Sequence, residues 1–447
     1  MKKKNFLYFL TIINYFFIFL SLFLLLYTFY QAQIVHEAKQ LKYYLKYYIL
    51  FSSSLIMWIY VTTIKTDSRI VFLMTGSLLI ITLYTFEIIR FYNISINNLL
   101  TEKKKIIVVK NEKLVLLEKL RETNKDTYPS IIPNIFLDKN EIEIYPLSGI
   151  SNVKTIFCKE GPEYAIYQSD RYGFNNPDNQ WSNNLDYVLI GDSFAQGACV
   201  KEGQDIASHL RKLTNKNILT LGMAGNGPLT ELASLKEYIS DKKVKNIFWI
   251  YFERNDLKDL KKEKKNKILV KYLKKNFSQN LNKKQNKIDS LVKEVIFDQE
   301  KKLKINNSEE KIYKKLVFQK IIRLQIVRDK TAFDRGLNFG VDPLFEEIIL
   351  KAKRFAEVKN SKFYFIYLPD KQSFTKNNVN KKNFLNKQEV LEIIKRNNID
   401  TIDINSTLFL KEKDPFALFA HRIYGHYSAD TYFKIAEIIK NHIEQYP

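Results

Sequence analysis

The run YVLIGDSFAQGACV, Tyr187–Val200, ends an apolar stretch in Gly-Asp-Ser and then continues in small residues with a second glycine. A fold gains nothing from a hydroxyl at the end of a buried strand, whereas nucleophilic chemistry does. Ser193 stands where a strand turns into a helix, a turn that exposes the hydroxyl and aims the backbone N–H groups that follow at one point. A serine hydroxyl needs a base to take its proton. The tetrahedral intermediate that it forms needs donors for its oxyanion. Both requirements can be met further along the chain. MAGNGP, Met223–Pro228, offers Gly225, whose backbone N–H no side chain would obstruct. FERNDL, Phe252–Leu257, offers the side-chain amide of Asn255. Of the five histidines, His426 stands in the best place, just before a final amphipathic helix, with His421 a less well placed neighbour.

Each of these residues must be carried by an element that brings it to Ser193. Short apolar runs read as strands at Asp186–Gly191, Asn217–Met223, Lys245–Glu253, Lys362–Pro369 and Asp400–Ile404. Helical patterns separate them at Asp205–Leu213, Leu229–Ser240, Asp342–Val358 and Lys387–Asn397, and a last helix covers Ser428–His442. Strands alternating with helices predict an α/β fold with a parallel sheet covered on both faces. Sites in such sheets form at the carboxyl ends of the strands, where Ser193, Gly225 and Asn255 all fall. A basic insertion at about 257–331 interrupts the alternation, with helical stretches at Ile288–Leu303 and Glu309–Val327. A helical cap beside the site and a solvated charged arm both fit it.

At these residues the chain resembles the SGNH hydrolase superfamily, the GDSL-like esterases, from about Asp186 to the end and excluding the insertion. Gly191-Asp192-Ser193 with Gly197 is similar to the block that carries the nucleophile, and Gly225 to the oxyanion glycine. Asn255-Asp256 is similar to the end of Gly-x-Asn-Asp, with Glu253 in place of the glycine, and His426 to the histidine of the last block. The resemblance implies a flavodoxin-like three-layer sandwich of about five parallel strands. It also implies a Ser193–His426 pair with an oxyanion hole made of Ser193, Gly225 and Asn255, and neither metal nor cofactor. The aspartate expected two or three residues before the histidine is absent, since Ile423 and Tyr424 occupy those positions. Asp414, in KDPFALF, is the candidate acid. The missing aspartate also leaves open an inactive domain that binds glycan or serves as a scaffold in envelope polysaccharide assembly.

The N-terminal part reads as a membrane anchor over residues 1–92. Phe6–Tyr30, Tyr47–Ile64 and Ile70–Phe86 are uncharged runs of bilayer-spanning length. Lys2, Lys3 and Lys4 favour a cytoplasmic N-terminus, which places the later domain outside a bacterial inner membrane. Lys39, Lys42, Lys46 and Lys103–Lys105 would then also lie outside, against the same rule. A stalk follows over 93–127, with IIVV at 106–109, and then a β-rich lead-in over 128–184 that includes the turn-rich SDRYGFNNPD, Ser169–Asp178. Tethering to a membrane suggests acylated envelope glycans or lipids as substrates, with acetyl the expected acyl group and a membrane protein as acyl donor if the reaction is a transfer. Trp181 and Tyr172–Phe174 are candidates for stacking on sugar rings. The net charge of +23 comes from lysine spread over the whole chain with no recognition motif, so nucleic acid is not expected as a partner. The two cysteines, Cys158 and Cys199, exclude a disulfide-dense scaffold, and both a single disulfide and two separate thiols fit them.

Overall fold

The computed structural model describes residues 2–35, 41–90, 112–139, 142–304, 318–330, 340–375 and 381–445. The chain forms two compact units, Met1–Val109 with Ile305–Phe339, and Lys110–Lys304 with Gly340–Pro447.

The first unit is built on three long helices, α1 (Lys2–Phe29), α2 (Leu41–Val61) and α3 (Thr66–Arg90). Among the described residues two helices are long and apolar enough to cross a membrane, Asn5–Val35 and Thr66–Arg90. The expected middle span forms α2, which is not one of these two. Its five tyrosines, three serines and two lysines dilute the apolar character. Phe17 stacks on Trp58 with ring centroids 4.4 Å apart, and Ser21 and Ser54 share a hydrogen bond of 2.9 Å. Many of the large side chains of α1 and α3 stay exposed, including Phe9, Phe16, Phe19, Phe23, Leu78, Leu79 and Ile81. Outward-facing apolar surface of this kind is what a lipid-facing helix presents. The later part of the basic insertion also belongs to this unit. Glu87 of α3 is fully buried and accepts the backbone N–H groups of Ile326 (2.8 Å) and Val327 (3.0 Å). A carboxylate at the N-terminus of the short helix Gln325–Lys330 satisfies donors that a helix cannot bond internally. The continuous helix expected over Glu309–Val327 is interrupted at Leu324 by a left-handed residue, and its first half lies outside the described residues. IIVV at 106–109 lies outside them as well.

Among the described residues of the second unit, eight strands form two sheets. The small sheet contains β1 (Thr127–Pro129), β2 (Lys154–Ile156) and β3 (Ile166–Gln168). The large sheet contains β4 (Asn184–Ile190), β5 (Ile218–Thr220), β6 (Lys243–Phe252), β7 (Lys362–Leu368) and β8 (Asp400–Asp403). Its order is β5-β4-β6-β7-β8 and every pairing is parallel. Counted within the domain this is 2-1-3-4-5, the flavodoxin-like order, whose switch point lies between the first and third strands. That crevice lies between β4, which leads to Ser193, and β6, which leads to Asn255.

Side chains alternate across the sheet with period two. Ile247, Trp249 and Tyr251 of β6 and Phe363, Phe365 and Tyr367 of β7 face one layer, with the helices Pro228–Ile239, Pro343–Val358 and Lys381–Arg396. Phe248, Ile250 and Phe252 of β6 and Tyr364, Ile366 and Leu368 of β7 face the other, with Ile206–Thr214 and Ala429–Gln445. The result is a three-layer sandwich whose strands are buried on both faces, which explains why they read as continuous apolar runs.

The earlier part of the insertion packs onto this unit. Leu269, Tyr272, Leu281, Ile288 and Val292 join the core of the first layer. Glu237, on the helix Pro228–Ile239, anchors it by accepting from Tyr272 Oη (2.5 Å), Ser278 Oγ (3.0 Å) and the backbone of Leu281 (2.8 Å). The second half of the expected stalk forms a helix over 112–123, and its Arg121 forks onto Glu300 at 2.9 and 3.0 Å.

Candidate active site

Ser193 begins a helix of one turn, Ser193–Gln196. Asp192 caps it by accepting the Phe194 N–H at 2.9 Å. The turn closes at Gly197, whose φ of 85° is left-handed and whose added Cβ would lie 2.4 Å from Asp205 Cβ. Only glycine fits there. The Phe194 ring packs on Phe252 (4.1 Å), Tyr427 (4.7 Å) and the His426 ring (5.0 Å), so the residue after Ser193 also seats the imidazole. Tyr427 is buried, and its hydroxyl donates to the Pro369 carbonyl at 2.7 Å, fixing the histidine loop to the end of β7.

Ser193 Oγ lies 3.0 Å from His426 Nε2, although 233 residues separate them in sequence. The other ring nitrogen, Nδ1, lies 2.8 Å from Glu160 Oε1, and Glu160 Oε2 accepts the His426 backbone N–H at 3.1 Å. One carboxylate therefore takes both donors of the histidine. A carboxylate can only accept, so it assigns the proton to Nδ1 and leaves the Nε2 lone pair facing the serine. Burial acts to raise the Glu160 carboxyl, but the hydrogen bonds and charge of His426 outweigh it and hold the group below the usual carboxylate range.

Asp414 does not fill this role. It caps a short turn by accepting the Phe416 N–H at 3.1 Å, and it pairs with the Arg422 guanidinium. Glu160 comes instead from the hairpin loop between β2 and β3, ahead of the nucleophile in sequence. No spacing rule relative to His426 reaches so far. The one available signal was the cysteine pair. Cys158 and Cys199 form a disulfide with a Cα–Cα distance of 5.0 Å, which brings the hairpin and the nucleophile turn together. His421 sits against this same loop, since a Cβ on Gly161 would come within 2.9 Å of its Nε2.

Ligand atoms of Glu160, Cys199 and His426 lie within 4.8 Å of one another. Three such groups could hold a metal as free side chains. The Cys199 sulfur is bonded to Cys158, however, and is not a thiolate ligand.

Gly225 has a φ of 77° and lies beneath the lead-in segment, where an added Cβ would be 2.4 Å from Ile132 Cγ2. Gln196 ties this turn to the nucleophile helix, because its Oε1 accepts the Ala224 N–H at 2.7 Å. Asn255 follows β6. Its Nδ2 donates to Asp192 Oδ2 (3.0 Å) and Asp259 Oδ2 (3.2 Å). Both amide protons thus have carboxylate acceptors, whereas the expected role would aim one at an oxyanion. Behind it Glu231 and Asp256 are fully buried, and burial first, then their neighbouring carboxylates, push both well above the usual range. Glu253, in place of the expected glycine, joins two strand ends by accepting Ser373 Oγ at 2.7 Å and the Asp370 N–H at 3.3 Å.

Trp181 and Phe174 are not available for sugar stacking. Both are buried and pack around Tyr238, with Tyr172 beside them. The turn is organised by Asp170, which accepts from the backbones of Tyr172 (2.9 Å) and Phe174 (3.0 Å), from Asn176 Nδ2 (2.8 Å) and from Trp181 Nε1 (2.8 Å).

No family model matches the chain, and no curated protein does. Among the solved structures similar to it are the following two. A protein described as a lipolytic member of the G-D-S-L family, from Desulfitobacterium hafniense DCB-2, is 12% identical, with 58% of this chain and 99% of the other covered and a TM-score of 0.31. A GDSL-like lipase from Bacteroides thetaiotaomicron VPI-5482 is 10% identical, with 61% and 92% covered and the same TM-score of 0.31.

Proposed function

We propose that the second unit is an SGNH-type serine hydrolase or acyltransferase acting on ester bonds, anchored at a membrane by the first. One observation carries this reading. Ser193 Oγ, His426 Nε2, His426 Nδ1 and Glu160 Oε1 form a continuous relay at 3.0 and 2.8 Å, at the switch point of a parallel sheet.

The reaction has two steps. His426 Nε2 takes the Ser193 proton as Oγ attacks an ester carbonyl, and Glu160 stabilises the imidazolium that forms. On this reading the oxyanion falls to the backbone N–H groups of Ser193 and Gly225. For Asn255 to join them, one amide proton must leave its carboxylate. The bond to Asp259 is the longer of the two, and Asp259 keeps Lys262 as a partner at 2.6 Å. The imidazolium then protonates the leaving alkoxide, so the alcohol departs and the acyl group remains on Oγ. In the second step His426 deprotonates water, for an esterase, or an acceptor hydroxyl, for a transferase, and Ser193 recovers its proton.

Acylated glycans or lipids of a bacterial envelope, acetyl esters first among them, are the substrates that a membrane-tethered enzyme would meet. A disulfide beside the site favours the oxidising, extracytoplasmic side of a bacterial inner membrane. The scaffold reading rested on a missing acid, and the position of Glu160 removes that reason for it. A fluorophosphonate probe tests the proposal. The full chain should be labelled at Ser193 and the Ser193→Ala variant should not. An unlabelled wild-type protein would overturn it.

A further inference from the structure

We infer that the Cys158–Cys199 disulfide is the positioning device for Glu160, so that the coupling of the acid to His426 depends on the oxidation state of this one bond. The inference rests on the catalytic reading of Ser193 and His426 given above.

The hairpin that carries Glu160 is secured at its base. Phe157 and Tyr167 pack with Ala198 and Ala224, and Tyr167 Oη accepts from Gln196 Nε2 at 3.0 Å. Two backbone bonds of 2.8 Å, Phe157 N–H to Ala165 and Ala165 N–H to Cys158, close the ladder. Beyond them no backbone–backbone hydrogen bond links Lys159–Glu163 to another segment among the described residues. Two side-chain ion pairs touch this tip, Lys159 with Glu112 (2.7 Å) and Glu163 with Lys201 (2.9 Å). The second of these is largely exposed on both sides, and exposed ion pairs constrain a loop weakly. The disulfide, in contrast, is a covalent tie two residues from Glu160. Its far end, Cys199, follows the nucleophile turn at a left-handed φ of 61°. Cys199 Sγ also lies 3.9 Å from His426 Nδ1, so the bond closes against the edge of the ring that Glu160 engages. It thereby joins the acid's loop to the nucleophile's turn, and the imidazole is held between them.

Reduction releases this tie. A trialkylphosphine gives two electrons to the sulfurs, water supplies two protons and an oxygen, and the products are two thiols and a phosphine oxide. The hairpin base stays packed, while the tip keeps its non-covalent contacts, the carboxylate bonds to His426, the ion pairs and the packing of His421 at Gly161, and loses its one covalent tie. A shift of about 1 Å in a positioned group can cost about a hundredfold in rate, so a slowing of about tenfold or more is expected.

The experiment uses the full chain in detergent, oxidised, phosphine-reduced and reoxidised, with two readouts. Amide hydrogen exchange of the peptide containing His426 reports its N–H bond to Glu160 and does not depend on catalysis. The rate of fluorophosphonate labelling reports the serine. Reduction should raise exchange at His426 and slow labelling, reoxidation should reverse both, and the Glu160→Gln variant, already slow, should lose little more on reduction. The Cys158→Ala/Cys199→Ala variant should match the reduced protein. Unchanged exchange at His426 on reduction would overturn the inference. So would a loss in Glu160→Gln by the same factor as in wild type, which would show that the bond acts through overall stability alone. If the oxidised protein takes no probe, the catalytic reading fails, while hydrogen exchange still decides this one.

Discussion

Replacing Glu160 by glutamine removes one negative charge and leaves the side-chain shape nearly unchanged. In the wild type the carboxylate accepts from His426 Nδ1 at 2.8 Å and from the His426 backbone N–H at 3.1 Å. The amide has one acceptor atom, so one of these donors must face an NH2 group. The imidazolium formed during the reaction also loses its counter-charge. At about 4 Å between charge centres and an effective dielectric near 20, that interaction is about 4 kcal/mol. The Glu160 side chain is 16% exposed, so solvent screens part of it. A loss of about 3–4 kcal/mol corresponds to a decrease of about 10²–10³ in the chemical rate. The assay is hydrolysis of a chromogenic acetate ester alongside fluorophosphonate labelling, with the decrease expected in kcat rather than KM. Asp414→Asn is the control and should stay within about twofold of wild type, because Asp414 serves Arg422 and a turn. Activity of Glu160→Gln within threefold of wild type would refute the reasoning, as would a larger loss in Asp414→Asn. Stability carries a second signature. The Glu160 carboxyl is depressed in the folded protein, so its contribution is present above the ordinary glutamate value and is lost as pH falls through the folded value. The difference in Tm between wild type and Glu160→Gln should therefore shrink as pH drops below about 4.

Two further substitutions separate site from scaffold. Gly225→Ala puts a Cβ 2.4 Å from Ile132 Cγ2 at a left-handed φ, and should cost about 1–3 kcal/mol in thermal stability while slowing acylation; wild-type stability and rate together would refute the placement of this turn. Asp170→Asn should destabilise by about 2–3 kcal/mol without changing KM, since an amide oxygen cannot replace two acceptor atoms that hold four donors. Burial raises the Asp170 carboxyl to about 6, so in the wild type this group's contribution falls as pH rises from about 4 towards 6, and urea titrations across that range should show Asp170→Asn lacking this pH dependence.

What the sequence by itself determined is the part written in local patterns. Continuous apolar runs such as Lys362–Leu368 and Lys243–Phe252 read as strands buried on both faces, and their alternation with amphipathic helices reads as a doubly covered parallel sheet. Ser193 was legible because a strand, a capping aspartate and a left-handed glycine are consecutive in the chain. His426 was legible because so few histidines compete and this one precedes a clear helix. The tertiary structure alone decided the partners that no local rule connects. Glu160 reaches His426 across 266 positions, through a hairpin in a segment whose short strands carry almost no periodic signal. Trp181 and Phe174 looked like free aromatics because burial depends on Tyr238, a residue remote in sequence. Asn255 follows β6 as its position in the sequence implies, yet one acceptor of its amide, Asp192, comes from the end of β4 and is set by how β4 and β6 lie side by side. Backbone pattern is encoded within a few residues, whereas the direction a polar side chain takes depends on which distant group needs its proton.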